Sequence, residues 1–284
     1  MRFVHSFSTR PLSINLYNTD DVQRTIGNIV YYATSLAYLK NLNQTVVLHT
    51  DTKGMEMLDY LPYDEIHLTL DEIPNTISPR FWAAGKFYAM EKEPLNSVHI
   101  DGDVFIKTQT LIDMIENQKY DLIVQNVEDG KIYRECAKLI YAEQEWFTNL
   151  GIDINDTSAY CTGIVGFNNQ ELKTKFIESY KKTITFFSEK YPILLKKNMF
   201  LTPDLVCEQL MIEHLSRDYK VYTLLRISDE NPQLIIEDAK NIGYQHTLTI
   251  SKFKHLDKCW TTLKNISPII YKNTHKICQK ILNK

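Results

Sequence analysis

The period of the hydrophobic positions changes repeatedly along the chain, and the changes mark alternating strands and helices. Phe3-Val4-His5-Ser6-Phe7-Ser8 predicts a first strand. Asp20, with Gln23 three residues on, makes a capping-box start. The helix it opens carries Val22, Ile26, Ile29, Val30, Ala33 and Ala37 at helical spacing. Thr45–Asp51 is a continuous apolar strand of the kind buried on both faces of a parallel sheet. A short helix near Met55–Tyr60 and a strand over Glu65–Leu68 follow. Ser78-Pro79 reads as an N-cap with proline at the first helical position, for a helix running through Phe81, Trp82, Ala84, Gly85, Tyr88 and Ala89 to just before Pro94.

A β-rich stretch, Asn96–Ile106, comes next, then a helix near Thr108–Asn117 and a strand over Tyr120–Gln125. Arg134–Leu150 predicts a helix closed by Gly151, and Tyr160–Asn168 a strand with small residues at its start. Asn168 or Asn169 caps a helix with Leu172, Phe176, Ile177, Tyr180, Ile184 and Phe187 on one face. Thr202-Pro203-Asp204 opens another helix, Lys220–Leu225 is a strand, and Gly243–Lys252 ends the core. Alternation of this kind predicts an α/β fold with a mixed, mostly parallel sheet flanked by helices, as one domain over 1–252, followed by a basic helical tail over 253–284.

Composition narrows the classes. A chain of 284 residues holds one large α/β domain or two small ones. Its net charge of −3 gives no general reason to bind nucleic acid. Five scattered cysteines without a Cys-x-x-Cys pair argue for reduced thiols in a cytoplasmic setting, not a disulfide framework or zinc site. Met1–Ser6 lacks the apolar core of a signal peptide, and no apolar run approaches the roughly 20 residues that span a bilayer.

The chemistry gathers at Asp101-Gly102-Asp103. On a strand these carboxylates project to one side. Two like charges held together there need a partner, and a divalent cation with oxygen ligands, Mg²⁺ or Mn²⁺, leaves positions open for phosphates. Gly102 permits close approach of backbone to ligand. The competing reading is a solvated Asp-Gly-Asp turn. An EF-hand loop from Asp101 is excluded, because Phe105, Ile106 and Ile112 stand where it needs an oxygen ligand, glycine and glutamate. Phe7 and Ser8 close the first strand and Asp51 the second, where open α/β sheets bind ligands. Asp51 is thus either a base or ribose contact or a helix N-cap. Arg80 and Lys86 either face a diphosphate or are solvated. Gly163, inside a strand, marks close backbone approach. There is no Gly-x-Gly-x-x-Gly and no P-loop.

A cation-bearing helix, then apolar-Asp-Gly-Asp-apolar, a Thr-Gly strand ending in Phe-Asn-Asn, an acid–Gln pair opening a helix, and a late histidine with lysine six residues on make a recognisable order. It resembles the GT-A fold nucleotide-sugar glycosyltransferases, most closely the family 8 retaining enzymes, in spaced motifs over roughly Phe3 to Lys252. The resemblance implies that Asp101, Asp103 and His246 bind Mn²⁺ (or Mg²⁺) and that Lys252 contacts the diphosphate of a UDP-type sugar. Thr249 stands where that motif has glycine. Lys86 matches a basic helix residue near sugar and phosphate. Cys161-Thr162-Gly163 replaces the family's Phe-Asn-Ala-Gly, with Thr162 at the sugar-contacting asparagine. Glu208-Gln209 corresponds to the acid–Gln pair of the donor-sugar pocket.

The activity implied is transfer of a hexose to a glycan, lipid-linked or peptide hydroxyl, with retention and with Glu208 and Gln209 on the β-face of the sugar. For an inverted product, Asp204 or Glu208 would be the general base. Charge builds on the departing diphosphate, and a metal with a lysine offsets it. The alternatives are a catalytically weak GT-A-like binding protein or a nucleotidyltransferase, although Ser6–Arg10 offers no glycine-rich loop. Lys252–Lys284 holds eight lysines against Asp257 alone, interleaved with Trp260, Ile269, Ile270 and Ile277. Such a tail either contacts the inner membrane face peripherally or packs on the domain with solvated lysines, and Pro268 splits it in two.

Overall fold

A computed structural model describes residues 1–13, 21–128, 131–139, 141–192, 203–225, 239–247 and 255–283. Strands β1 (Arg2–Phe7), β2 (Thr45–Thr50), β3 (Glu65–His67), β4 (Ser97–Ile100), β6 (Leu122–Glu128), β7 (Ala159–Phe167) and β8 (Val221–Thr223) form one sheet in the order β3-β2-β1-β4-β7-β6-β8. All neighbours run parallel except around β7, which is antiparallel to both β4 and β6. The fold is α/β with a mostly parallel central sheet, as the alternation predicts. A two-stranded antiparallel ribbon joins β5 (Val104–Ile106) to β9 (Tyr244–His246).

Strand periodicity explains the layers. Phe3 and Phe7 of β1 enter one core and Val4 the other, so both faces of the strand are buried. One face is covered by α3 (Ala84–Lys92), α7 (Gln170–Lys190) and α8. The last opens at Pro203–Leu205, passes through a π turn at Val206–Leu210 and closes at Met211–Leu215. The other face is covered by α1 (Asp21–Asn41), α4 (Gln109–Glu116), α9 (Leu256–Ile266) and α10 (Pro268–Leu282). Asp20, predicted as the α1 cap, and Thr202 lie outside the described residues. Thr108 and Asn169 cap α4 and α7 through their side chains.

Two predicted helices differ from their sequence reading. Ser78-Pro79 does not start α3, which begins at Ala84. The guanidinium of Arg10 takes the carbonyls of Ile73 and Pro74 (both 3.0 Å) and of Ile77, so the segment ahead of α3 is held as turns. The predicted Arg134–Leu150 helix is α5 (Lys131–Leu139) and α6 (Gln144–Asn149), separated by a 3-10 turn at Tyr141–Glu143. There Glu143 reaches across to Lys190 at 2.8 Å. Gly151, at φ +79°, closes α6 with paired Gly151–Thr148 and Ile152–Phe147 hydrogen bonds of a Schellman cap.

The C-terminal helices are not a loose tail. Ser267 caps α10 with Pro268 at its start, which is where the predicted break falls. Cys259, Leu263, Ile270, Ile277 and Cys278 are buried in the same core as Ile29, Leu36 and Leu39 of α1. The apolar stripe expected to meet a membrane is largely spent on α1. Lys276 and Lys280 cover the ring of Tyr60, at 4.8 and 4.0 Å from its centroid. Among the described residues, no helix is long and apolar enough to cross a membrane.

This packing makes a prediction. Leu263→Ala should cost about 2–5 kcal/mol in urea unfolding, the range for emptying a packed leucine site. Ile269→Ala, whose side chain is 70 % exposed, should stay within about 0.5 kcal/mol.

Candidate functional site

The carboxyl ends of β1, β2 and β4 point toward one rim of the sheet, and the Asp-Gly-Asp stretch lies there. It is a turn and not a continuous strand. β4 stops at Ile100, the Val104 amide donates to the Asp101 carbonyl (2.9 Å), and β5 begins. The turn still brings both carboxylates to one side. The Asp101 amide is anchored on the Gly163 carbonyl at 2.9 Å. Gly102 admits a protein ring: a Cβ there would meet Tyr32 at 2.3 Å.

The ribbon brings His246 to this turn. Val104 pairs with His246, and the Thr247 amide donates to the Asp103 carbonyl at 3.0 Å. Ligand atoms of Asp101, Asp103 and His246 all lie within 4.8 Å of one another, so the three could hold a cation. His246 Nδ1 donates to Gln125 Oε1 (2.8 Å), which also accepts from the Tyr244 hydroxyl (2.5 Å). That assigns the proton to Nδ1 and leaves the Nε2 lone pair on the Asp103 side, 3.6 Å from its carboxylate. Gly163 is required here, since a Cβ would stand 2.5 Å from Gln125 Oε1 and 2.7 Å from His246. Its close approach is to these side chains.

Lys86 joins the turn to β7 and α8. It is 5 % exposed. Its ammonium lies 3.1 Å from Asp101, and it donates to Glu208 Oε1 (2.6 Å), the Thr162 carbonyl (2.9 Å) and the Thr162 hydroxyl (3.1 Å). Thr162 in turn donates to Glu208. Burial pulls the Lys86 pKa down, but Asp101 and Glu208 outweigh it and hold the amine above its ordinary value. Lys86 is thus not solvated, and its ammonium is taken up by Asp101, Thr162 and Glu208. Burial raises the Asp101 carboxyl, Lys86 opposes that, and Asp103 adds to it. Glu208 sits in the π turn of α8, a kind of bulge frequent at functional sites. Gln209 is half-buried and meets the Tyr133 hydroxyl, which also meets Glu128.

Other candidates are positioned differently. Asp51 is the N-cap of α2 (Thr52–Leu58) and accepts from the Gly54 amide, the Thr9 amide and hydroxyl, and the Ser8 hydroxyl. These four donors saturate its lone pairs, which corrects the base or ribose contact. The Phe7 ring is buried against Tyr32. Arg80 is buried in the turns ahead of α3, outside the Asp101–Lys86 set. Asp204 is fully enclosed and accepts from the Ala83 amide and the Tyr180 hydroxyl, both at 3.0 Å. It is a support between α3, α7 and α8 and not a base open to an acceptor. Burial, then the Glu208 charge, lifts its carboxyl to about 8. Lys252 lies outside the described residues.

Gln125, Tyr244 and Tyr32 were not singled out by sequence. Gln125 carries a signal, being an amide in an apolar strand. Tyr244 carries another, lying two residues before His246 and so on its face. His99 is a fourth addition, buried with Nε2 2.8 Å from the Ser6 hydroxyl and Nδ1 3.8 Å from Asp101. Burial, then Lys86, holds its pKa well below the usual value, so it is neutral.

A model of a family of unknown function (DUF6734) matches residues 1–283. No curated protein matches the chain.

Asp204 makes stability depend on pH. Its carboxyl rises from 3.8 to about 8 on folding, so between those values the folded chain holds a proton that the unfolded chain has lost. Its contribution is complete below the lower value and disappears as pH rises through the upper one. Asp204→Asn keeps the neutral shape and should flatten that decline, seen in urea midpoints between about pH 5 and about pH 8.

Proposed function

The chain belongs to the DUF6734 family, whose description assigns no chemistry, and from the site we propose a metal-dependent glycosyltransferase of GT-A type. It moves a hexose from a UDP-type nucleotide sugar to a glycan, lipid-linked or peptide hydroxyl. The observation that carries the reading is the convergence of Asp101, Asp103 and His246 beside the buried Lys86–Glu208 pair at the strand ends. The mixed sheet and the β5–β9 ribbon that carries His246 support the same reading.

The donor set suits Mn²⁺. Two carboxylates supply hard oxygens, and the imidazole has its Nε2 lone pair available because Gln125 takes the Nδ1 proton. A cation held there would bind the diphosphate oxygens and offset the charge that grows as the sugar–phosphate bond breaks. Lys86, kept protonated by Asp101 and Glu208, gives a second fixed positive charge on the same side. Glu208 and Thr162 orient that ammonium, so its position needs no rearrangement during reaction. Gln209, half-buried, is assigned to the β-face of the donor sugar, with retention at the anomeric carbon, whereas Glu208, 1 % exposed and bound by Lys86 and Thr162, acts by holding that lysine. Asp204 takes no part except as a support.

Calorimetry with UDP is the test. Binding should require Mn²⁺. Asp103→Ala should lower affinity by more than the roughly tenfold to hundredfold that follows loss of a residue merely supporting a metal ligand. Donor hydrolysis should fall with it. Equal UDP affinity for both chains in Mn²⁺ would overturn the reading.

A further inference from the structure

A second set of metal-ligating side chains lies at the opposite end of the polar face beneath α3. His49 of β2 and His67 of β3 stand directly opposite each other in the parallel register. Glu93, just past the end of α3, turns its carboxylate to the same point. Ligand atoms of the three lie within 4.8 Å of one another. His49 and Glu93 are buried, whereas the His67 side chain is 45 % exposed on the edge strand. Two ligands are thus fixed in the interior and the third opens on solvent.

The surroundings orient each buried group toward the common point. Glu93 Oε2 accepts from Arg2 Nε (2.5 Å) and from the Ser97 hydroxyl (3.2 Å). Its Oε1 accepts a longer bond from Arg2 (3.2 Å) and faces His49 Nε2 at 2.8 Å. His49 Nδ1 is bound to the Thr69 hydroxyl at 2.8 Å. Each inner ligand therefore has one atom held by a neighbour and the other directed inward, as in metal sites whose ligands are braced from behind. An internal ion pair explains His49 and Glu93. It does not involve His67, whose ring lies beside that of His49, with centroids 5.0 Å apart, and meets exposed Glu65 at 3.2 Å.

We propose that His49, His67 and Glu93 form a zinc site, separate from the Asp101 cluster. Two imidazoles and one carboxylate are a zinc donor set, unlike the two carboxylates and one imidazole of the first site. His49 binds through Nε2 with its Nδ1 proton donated to Thr69, and Glu93 binds through Oε1. On binding, a neutral His49 carries its one ring proton on Nδ1, and zinc takes the place at Nε2 that the hydrogen bond to Glu93 Oε1 occupies. Water completes the coordination on the exposed side of His67. The ion fastens the three-residue edge strand β3 to the end of α3. None of this depends on the glycosyltransferase reading.

The test uses the full chain carrying Asp103→Ala and His246→Ala, which keeps Asp101 on Lys86 and leaves the second cluster as the one such set among the described residues. Titration with zinc chloride should give one bound equivalent and a higher unfolding temperature. Adding His67→Ala should weaken zinc binding at least about tenfold while leaving the unfolding temperature in EDTA unchanged. Glu93→Gln, should it fold, should do the same to zinc binding. The proposal is overturned if the parent takes up no zinc at severalfold molar excess, or if His67→Ala binds it as tightly as the parent.

Discussion

The buried ammonium of Lys86 is the constraint on which the rim of the sheet depends. One side chain from α3 bonds the turn after β4 through Asp101, β7 through Thr162 and α8 through Glu208. A buried lysine is costly unless it is paired, and either carboxylate left behind would be costly too. Removing Lys86 therefore leaves Glu208 buried without a cation, and removing Glu208 leaves Lys86 with the part-exposed Asp101 alone. The elements are held in one geometry because their polar groups have no better place to go. Asp204 stands behind this set. Its carboxyl is held in the neutral form first by burial and then by the repulsion that a second negative charge beside Glu208 would meet.

The surplus of carboxylate over lysine faces outward, where Asp101 is 32 % exposed and His246 closes the set. The β5–β9 ribbon is the device that closes it, bringing His246 to 3.6 Å from the Asp103 carboxylate while the next amide, of Thr247, donates to the Asp103 carbonyl. Two glycines make room. Gly102 passes beneath Tyr32, and Gly163 lets Gln125 reach His246. Each absence of a side chain is filled by protein, which gives the candidate ligands rigid backing.

The C-terminal helices show how composition and packing diverge. A stretch rich in lysine and isoleucine has the make-up of a membrane-surface helix. Here its apolar positions complete the layer begun by α1, and two of its lysines lie over Tyr60. Burial of Leu263 and Ile277 is worth more to the fold than their composition suggests, because α1 would otherwise expose the facing row.

The alternation of strand and helix was legible in the sequence, because each period is a local property set by which residues must face a core. So was the carboxylate pair Asp101 and Asp103, because two like charges one residue apart need a partner wherever they are held together, whereas His246 joined them only through the family resemblance, with Lys252 six residues on. The pairing of Lys86 with Glu208, 122 residues apart, was not legible. Lysine and glutamate look solvated in any local window, and only burial turns them into an obligatory pair. Asp51 could be read two ways until tertiary contacts filled its four acceptor positions. The start of α3 was misread because the Ser78 and Phe81 carbonyls accept from amides three residues on, at Phe81 and Ala84, in turns that stand ahead of the helix. Residue types and spacing thus determined the layers and the reactive groups. Long-range packing decided which polar groups face one another, since hydrogen-bond partners across the sheet are chosen by geometry that no local pattern contains.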